Sequence, residues 1–381
     1  MLRAALLSCF LVLSFSASAI KLVQFNIQEF DSVKIQDQKT SLAQVEAVKF
    51  ILNTLQADIL SLNEIQYDLP TVPNQNYLTT GQNLQIIARD LLDKHLTNTI
   101  FFPANTGKNA LRNENNEYVR DPSPAEAHRL ADPVNFGLFP GQYSTGALTH
   151  YPILATTEIN ALKWKEFNPD IDLSAYADEQ QNPFPEDMPL FDKNFTDTTL
   201  LIEGRPVHVI LLHTVPSFAF GNPKSPNFVR NRDQLLFLKR YLEEQLPNQS
   251  FIAMGDWNTD INQASDSATV LKDLGEKYHY ANDLSAPTYR GMNLLHDDLI
   301  LHLDYILLSK DIGVKESGIF APVPNFKKLG CQGESAAKED FILVNINEQG
   351  QTCAWLIEKN YFYSKTASDH LAIWADIYFK E

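Results

Sequence analysis

The 381-residue chain predicts a layered α/β fold. Residues 21–27 and 58–64 read as strands and flank residues 40–55, which carry apolar side chains at helical spacing. Strand, helix and strand within about 45 residues make a layered α/β unit. Further apolar runs of strand length recur along the chain, most of them bounded by a polar residue. Phe251-Ile-Ala-Met-Gly-Asp256-Trp-Asn258 shows this most sharply, as a buried strand does at the carboxyl edge where such sheets hold ligands.

Taken in order, residues 21–27 alternate and end near Asn26. Residues 40–55 place Leu42, Val45, Val48, Ile51, Leu52 and Leu55 on one helical face, and residues 58–64 end on Glu64. A second helix is predicted over 82–94. Residues 101–143 are irregular, 145–149 form a strand, and Tyr151-Pro152 closes it. Residues 167–197 are again irregular and strongly acidic, read as a solvated face in preference to a calcium site. Residues 198–202 and 207–213 predict a hairpin turning through Glu203-Gly204-Arg205-Pro206 and ending on His213. Residues 227–246 form a helix with Leu235, Leu238 and Leu242 on one face. Arg230, Asn231 and Asp233 near its start are explained by capping and surface pairing as well as by a site. Residues 303–308 are a strand with Asp304 near its beginning, and Ser368-Asp369-His370 leads into a last strand over 371–378.

The bulk properties set limits. Met1-Leu2-Arg3, an apolar run over 4–15 and small residues up to Ala19 predict a secretory signal cleaved after Ala19. Residues 20–381 then form one domain, secreted or periplasmic and monomeric, and no later stretch is long and apolar enough to span a bilayer. Cys331 and Cys353 are expected to pair outside the cytoplasm, with two free buried thiols as the alternative. The net charge of −16, with no compensating block of Lys or Arg, argues against a protein that holds nucleic acid mainly by counterion release.

In chain order, the polar residues at strand ends are Asn26, Glu64, His213, Asp256, Asn258, Asp304, Asp369 and His370. Hydrolysis of a phosphate ester makes matching demands. A hard divalent cation needs oxygen ligands, water needs a base, and the developing charge needs donors. Asp256 and Asn258 are two apart and project to one side of an extended backbone. A strand ending in a Gly, Asp and Asn turn is the plain alternative.

This order of motifs resembles the endonuclease/exonuclease/phosphatase superfamily of metal-dependent phosphohydrolases, from Asn26 to His370. Gly255-Asp-Trp-Asn258 and Ser368-Asp-His370 carry the resemblance, supported by Asn63-Glu64 and Leu303-Asp-Tyr305. Leu212-His213-Thr214 followed by Pro216 further resembles pancreatic-type deoxyribonucleases and neutral sphingomyelinases. The resemblance implies a four-layer α/β sandwich, two packed mixed sheets flanked by helices, with the site at one end. It implies that Glu64 ligates Mg²⁺ (or Mn²⁺ or Ca²⁺), with Asn26 and Asp369 close by on metal and phosphate. Asp256 would orient or deprotonate water and Asn258 would hold a phosphoryl oxygen. His370, its tautomer fixed by Asp304, would contact the phosphate, and His213 would assist the leaving group. Tyr143 would correspond to a substrate-contacting tyrosine. His150 stands where relatives carry a basic residue before Tyr-Pro, which puts one phosphate contact at neutral pH in doubt.

The expected activity is divalent-metal-dependent hydrolysis of a phosphate ester, a diester in preference because two imidazoles suit a poor alkoxide leaving group. A catalytically inactive binding module is the alternative. Nucleic acid, phospholipid and small phosphorylated molecules are all candidate substrates, and Trp257, Phe218 and Phe220 are candidates for an apolar lip.

Overall fold

The computed structural model describes residues 19–73, 79–178, 180–297, 299–321, 323–331 and 339–381. The secretory signal, but for Ala19 at its end, lies outside the described residues. In chain order the strands are β1 (Ile20–Phe30), β2 (Ile59–Ile65), β3 (Asn98–Phe101), β4 (Ser144–Thr149), β5 (Ile153–Ile159), β6 (Phe195–Ile202), β7 (Arg205–Leu212) and β8 (Phe251–Asp256). They continue with β9 (His279–Tyr280), β10 (Asp304–Leu308), β11 (Ile312–Ile319), β12 (Phe326–Gly330), β13 (Phe341–Glu348), β14 (Gln351–Glu358) and β15 (Ile373–Phe379).

Two six-stranded sheets run β11-β15-β1-β2-β4-β3 and β5-β6-β7-β8-β10-β9. Each mixes directions: β1 lies parallel to β2 and antiparallel to β15, while β7 lies parallel to β8 and β8 antiparallel to β10. The alternation of β1 explains the layering. Leu22 packs between the sheets with Val209, Leu211 and Met254, whereas Val23 and Phe25 pack outward against Val45, Val48 and Leu52 of helix Leu42–Leu55. Helices Asn227–Glu244 and Asp266–Lys277 cover the second sheet through Leu235, Leu238, Leu242 and Leu271. The result is the expected four-layer sandwich. No described helix is long and apolar enough to cross a membrane.

Several elements differ from expectation. The second helix covers only Asn83–Asp90. Helices Ser32–Gln36, Pro124–Leu130, Asp266–Lys277 and Lys359–Ala367, edge strands β5 and β11, and a third sheet, β12-β14-β13, went unread. Lys359–Ala367 buries Tyr361, Ser364 and Lys365, so its inward face is largely polar and shows no apolar stripe. Cys331 and Cys353 are joined by a disulfide beside the third sheet. The hairpin turns on Glu203 and Gly204 alone, both at positive φ (49° and 78°), because a two-residue turn of that hand matches strand twist.

One polar cluster on the second sheet makes stability depend on pH. His208 Nδ1 lies 2.9 Å from Asp197 Oδ1, and the Tyr241 hydroxyl donates to Asp197 Oδ2 at 2.8 Å. The hydrogen bond to Asp197 raises the imidazole above its ordinary pKa. A raised folded-state value means the stabilisation is complete at low pH and is lost as pH rises through it. His208→Gln should therefore lower Tm by roughly 1–2 °C near pH 5.5, for about 1 kcal/mol, and by nothing at pH 9. Thermal melts across that range check it; a deficit that grows with pH contradicts it.

Candidate active site

The expected site residues converge at one end of the sandwich, and the centre of the cluster is Asp256. The start of β10 sits opposite the end of β8, so Asp304 and Asp256 are cross-strand partners. Gly255 is required there by a close approach: a Cβ at this position would lie 1.7 Å from the carbonyl oxygen of Leu212. That contact seats the end of β7, and hence His213, against the end of β8. The glycine serves this approach, since the strand runs on through Asp256.

Asp256 Oδ2 accepts from Asn26 Nδ2 at 2.9 Å and from Asn258 Nδ2 at 3.2 Å. His213 Nε2 lies 3.5 Å and His370 Nε2 3.7 Å from the same oxygen. Asn258 reaches Asp256 by a turn and not by strand alternation. Its φ is 49°, and its backbone N–H donates to Asp256 Oδ1 at 2.9 Å. Asn63 Oδ1 accepts from the Asp256 N–H at 2.9 Å and from Gln24 at 2.6 Å. Gln24 and Asn26 share one face of β1, a fully buried polar pair between apolar neighbours.

Glu64 joins the group through Asn26, whose Nδ2 also donates to Glu64 Oε1 at 3.2 Å. One amide nitrogen thus bonds the carboxylates of residues 64 and 256. Glu64 has φ 62°, and the β2 register with both β1 and β4 shifts across this point. A bulge of this kind re-aims a side chain, here into the cleft. Burial and the nearby Asp369 push the Glu64 carboxyl up to about 7. Asn26 Oδ1 is buried and has no hydrogen-bond partner. A hard cation held by Asn26 Oδ1, Glu64 and Asp369 would satisfy both features, and these all-oxygen donors suit Mg²⁺, Mn²⁺ or Ca²⁺. Asp256, Asp304 and His370 also bring ligand atoms within 4.8 Å of one another. There, however, Asp304 Oδ2 already holds His370 Nδ1 at 2.8 Å, so the trio reads better as an oriented imidazole than as a metal cage.

The two imidazoles differ. Burial alone would lower the pKa of His370, but Asp304 and Asp256 outweigh it and hold the ring well above its ordinary value. His213 is held well below by burial, with Lys193 and His370 adding to the effect, and its buried Nδ1 has no partner. Asp256 itself is pushed up to about 6, chiefly by burial. The site therefore pairs a cationic imidazole with a neutral one around a carboxylate that can take a proton.

The remaining expectations divide. Tyr143, at φ 61°, lines the cleft and donates to Glu29 Oε1 at 2.9 Å. Glu29, which nothing in the sequence singled out, also gives its backbone N–H to Glu64 Oε2 at 2.9 Å. Ser368 Oγ donates to the Asn26 carbonyl and accepts from the His370 N–H, holding the last motif against β1. Trp257 is no lip residue: it is fully buried, stacked on Tyr305 at 5.0 Å. Phe218 and Phe220 do line the cleft, 58% and 60% exposed and edge to face at 4.9 Å. His150 lies at the far end of β4, because Thr149 pairs with the first residue of β2 while Thr145 pairs with Asn63. Its identity therefore has no bearing on a phosphate contact. Arg230, Asn231 and Asp233 are buried, not surface pairs. Asn231 Nδ2 bonds the Thr214 hydroxyl and the carbonyls of Val215 and Trp257, tying together the loops after β7 and β8.

All of this opens into a cleft of about 1100 Å³, whose outer wall includes Phe136, Phe184, Phe218, Phe220 and Leu299.

A model of the endonuclease/exonuclease/phosphatase family matches residues 23–370. No curated protein sequence matches the chain. Among solved structures, a family protein of Beutenbergia cavernae aligns with TM-score 0.53 at 14% identity, covering 95% of this chain and 72% of that one. One of Bacteroides thetaiotaomicron aligns with TM-score 0.50 at 8% identity, covering 96% and 99%. A mannosyl-6-phosphatase of the same organism aligns with TM-score 0.49 at 10% identity, covering 95% and 100%.

Proposed function

The chain belongs to the endonuclease/exonuclease/phosphatase family, and from that premise we propose that it is an exported, divalent-metal-dependent phosphodiesterase. The observation that carries this reading is the meeting of Glu64 and Asp256 on one Asn26 amide, with two imidazoles aimed at the same Asp256 oxygen. Glu64, Asn26 and Asp369 would hold the cation, which when bound neutralises charge on the phosphoryl group.

The chain's own residues do the rest. Asp256, raised by burial, orients the attacking water and takes its proton. Asn258, whose amide N–H groups bond Asp256 Oδ2 and the Thr214 carbonyl in the free site, turns one of them to a phosphoryl oxygen. His370, oriented by Asp304, offers an N–H to the developing negative charge. His213 stands as the neutral partner on the leaving-group side, and Tyr143 contacts substrate beside Glu29.

Exposed aromatic side chains line the outer cleft, and the net charge of −16 repels a polyanion. Both favour a single phosphodiester with an apolar substituent, such as a phospholipid, over nucleic acid. The Cys331–Cys353 disulfide supports export, since such bonds persist in oxidising compartments.

The enzyme should hydrolyse bis-p-nitrophenyl phosphate with Mg²⁺, Mn²⁺ or Ca²⁺, stop on chelation, and favour phospholipid over plasmid DNA, RNA and sugar phosphates. Silence with every metal would favour a binding module, and a preference for DNA would overturn the substrate class.

A further inference from the structure

We propose that Lys193 is a substrate-contacting residue whose ammonium donates to a phosphate oxygen on the His213 side of the site. The proposal rests on the phosphohydrolase reading and extends it to a residue outside the expected set.

Lys193 precedes β6, is 5% exposed, and lines the cleft. Its Nζ lies 2.7 Å from Asp192 Oδ2 and donates to the Thr214 carbonyl at 3.1 Å. That carbonyl, on the residue after His213, also accepts from Asn258 Nδ2 at 3.1 Å. The ammonium and the amide read as a phosphoryl donor thus meet at one oxygen. An ammonium has three N–H groups, and two of them are engaged.

The other cation along this cleft, Arg230, is no alternative. Its guanidinium bonds the carbonyls of Leu190, Val134 and Pro189 and the side chain of Asn135. Asp192 does not need Lys193 alone, because it also accepts from Gln234 at 3.0 Å and sits near Arg230. A long flexible side chain is thus buried, at entropic cost, beside a carboxylate that has other partners. Acids outnumber Lys and Arg along the described lining of the cleft, so an entering phosphate meets, beside the imidazole of His370, an open ammonium donor at Lys193.

The test uses inorganic phosphate with the Mg²⁺-loaded protein, by calorimetry and as a competitive inhibitor. The variants are Lys193→Met and the charge-balanced double variant Asp192→Asn/Lys193→Met. Both should weaken phosphate binding about 10-fold or more and raise KM by more than they lower kcat, the pattern of a lost binding contact. Mn²⁺ affinity should stay as in the wild type, which a collapsed site would not allow. If the folded double variant binds phosphate within twofold of wild type, or if both proteins fail to bind it, the proposal is overturned. The calorimetric arm needs no turnover. An inert wild type would therefore count against the phosphohydrolase reading, while Lys193-dependent phosphate binding would still support the contact.

Discussion

Asp256→Asn is expected to lower turnover at least about 10²-fold, the usual scale for losing a positioned base, while the protein remains folded. Every proposed reacting group meets at this carboxylate. Its Oδ2 takes the Asn26 and Asn258 amides and faces both imidazoles, while Oδ1 holds the Asn258 backbone. The amide substitute keeps the shape and one acceptor but cannot accept a proton. Stability should not suffer, because burying this carboxylate costs the fold energy, as its raised pKa records. A melting temperature equal to or above that of the wild type, together with the lost rate, is the expected pair of results. A near-normal rate would remove Asp256 from the chemistry, and an unfolded variant would make it a structural residue.

Glu64→Gln should abolish metal-dependent turnover by a similar factor, for a different reason. Glu64 is held by Asn26 and by the Glu29 backbone, in a conformation with φ 62° that ordinary strand residues avoid. Such strain is retained where the aim of a side chain matters, here toward the partnerless Asn26 Oδ1 and the charge of Asp369. The amide is the same size, but its single oxygen can accept from only one of the two donors, Asn26 Nδ2 or the Glu29 N–H. The larger loss is that of the charge, and excess metal should restore only part of the rate.

Much of this site was legible in the sequence because it stands where strands stop. Asp256, His213, Asp304 and His370 fall at the edges of apolar runs of strand length, continuous before Asp256 and His213 and alternating after His370. The four layers came from the family resemblance, and β1 shows why they form: buried on both faces, it has a second sheet on one side and helices on the other. What escaped had no such signal. Glu29 is an exposed acid in an ordinary position, and Lys193 sits in an acidic irregular stretch where one Lys reads as solvated. Helix Lys359–Ala367 faces inward with polar residues, so periodicity is silent there. Asn258 was recovered with the wrong geometry: alternation suggested a shared face, whereas a left-handed turn makes the contact. Trp257 and Gly255 show the reverse, residues beside the chemistry that serve packing and a close backbone approach.

The most direct test of a single hard-cation centre is Mn²⁺ binding, followed by electron paramagnetic resonance, in the wild type and in Glu64→Gln. The account predicts saturable binding in the wild type and affinity weakened about 10²-fold or more in the variant, at least the scale seen when even outer partners of a ligand are lost. Equal Mn²⁺ affinity in the two proteins would contradict it, and would move the cation away from Glu64 altogether.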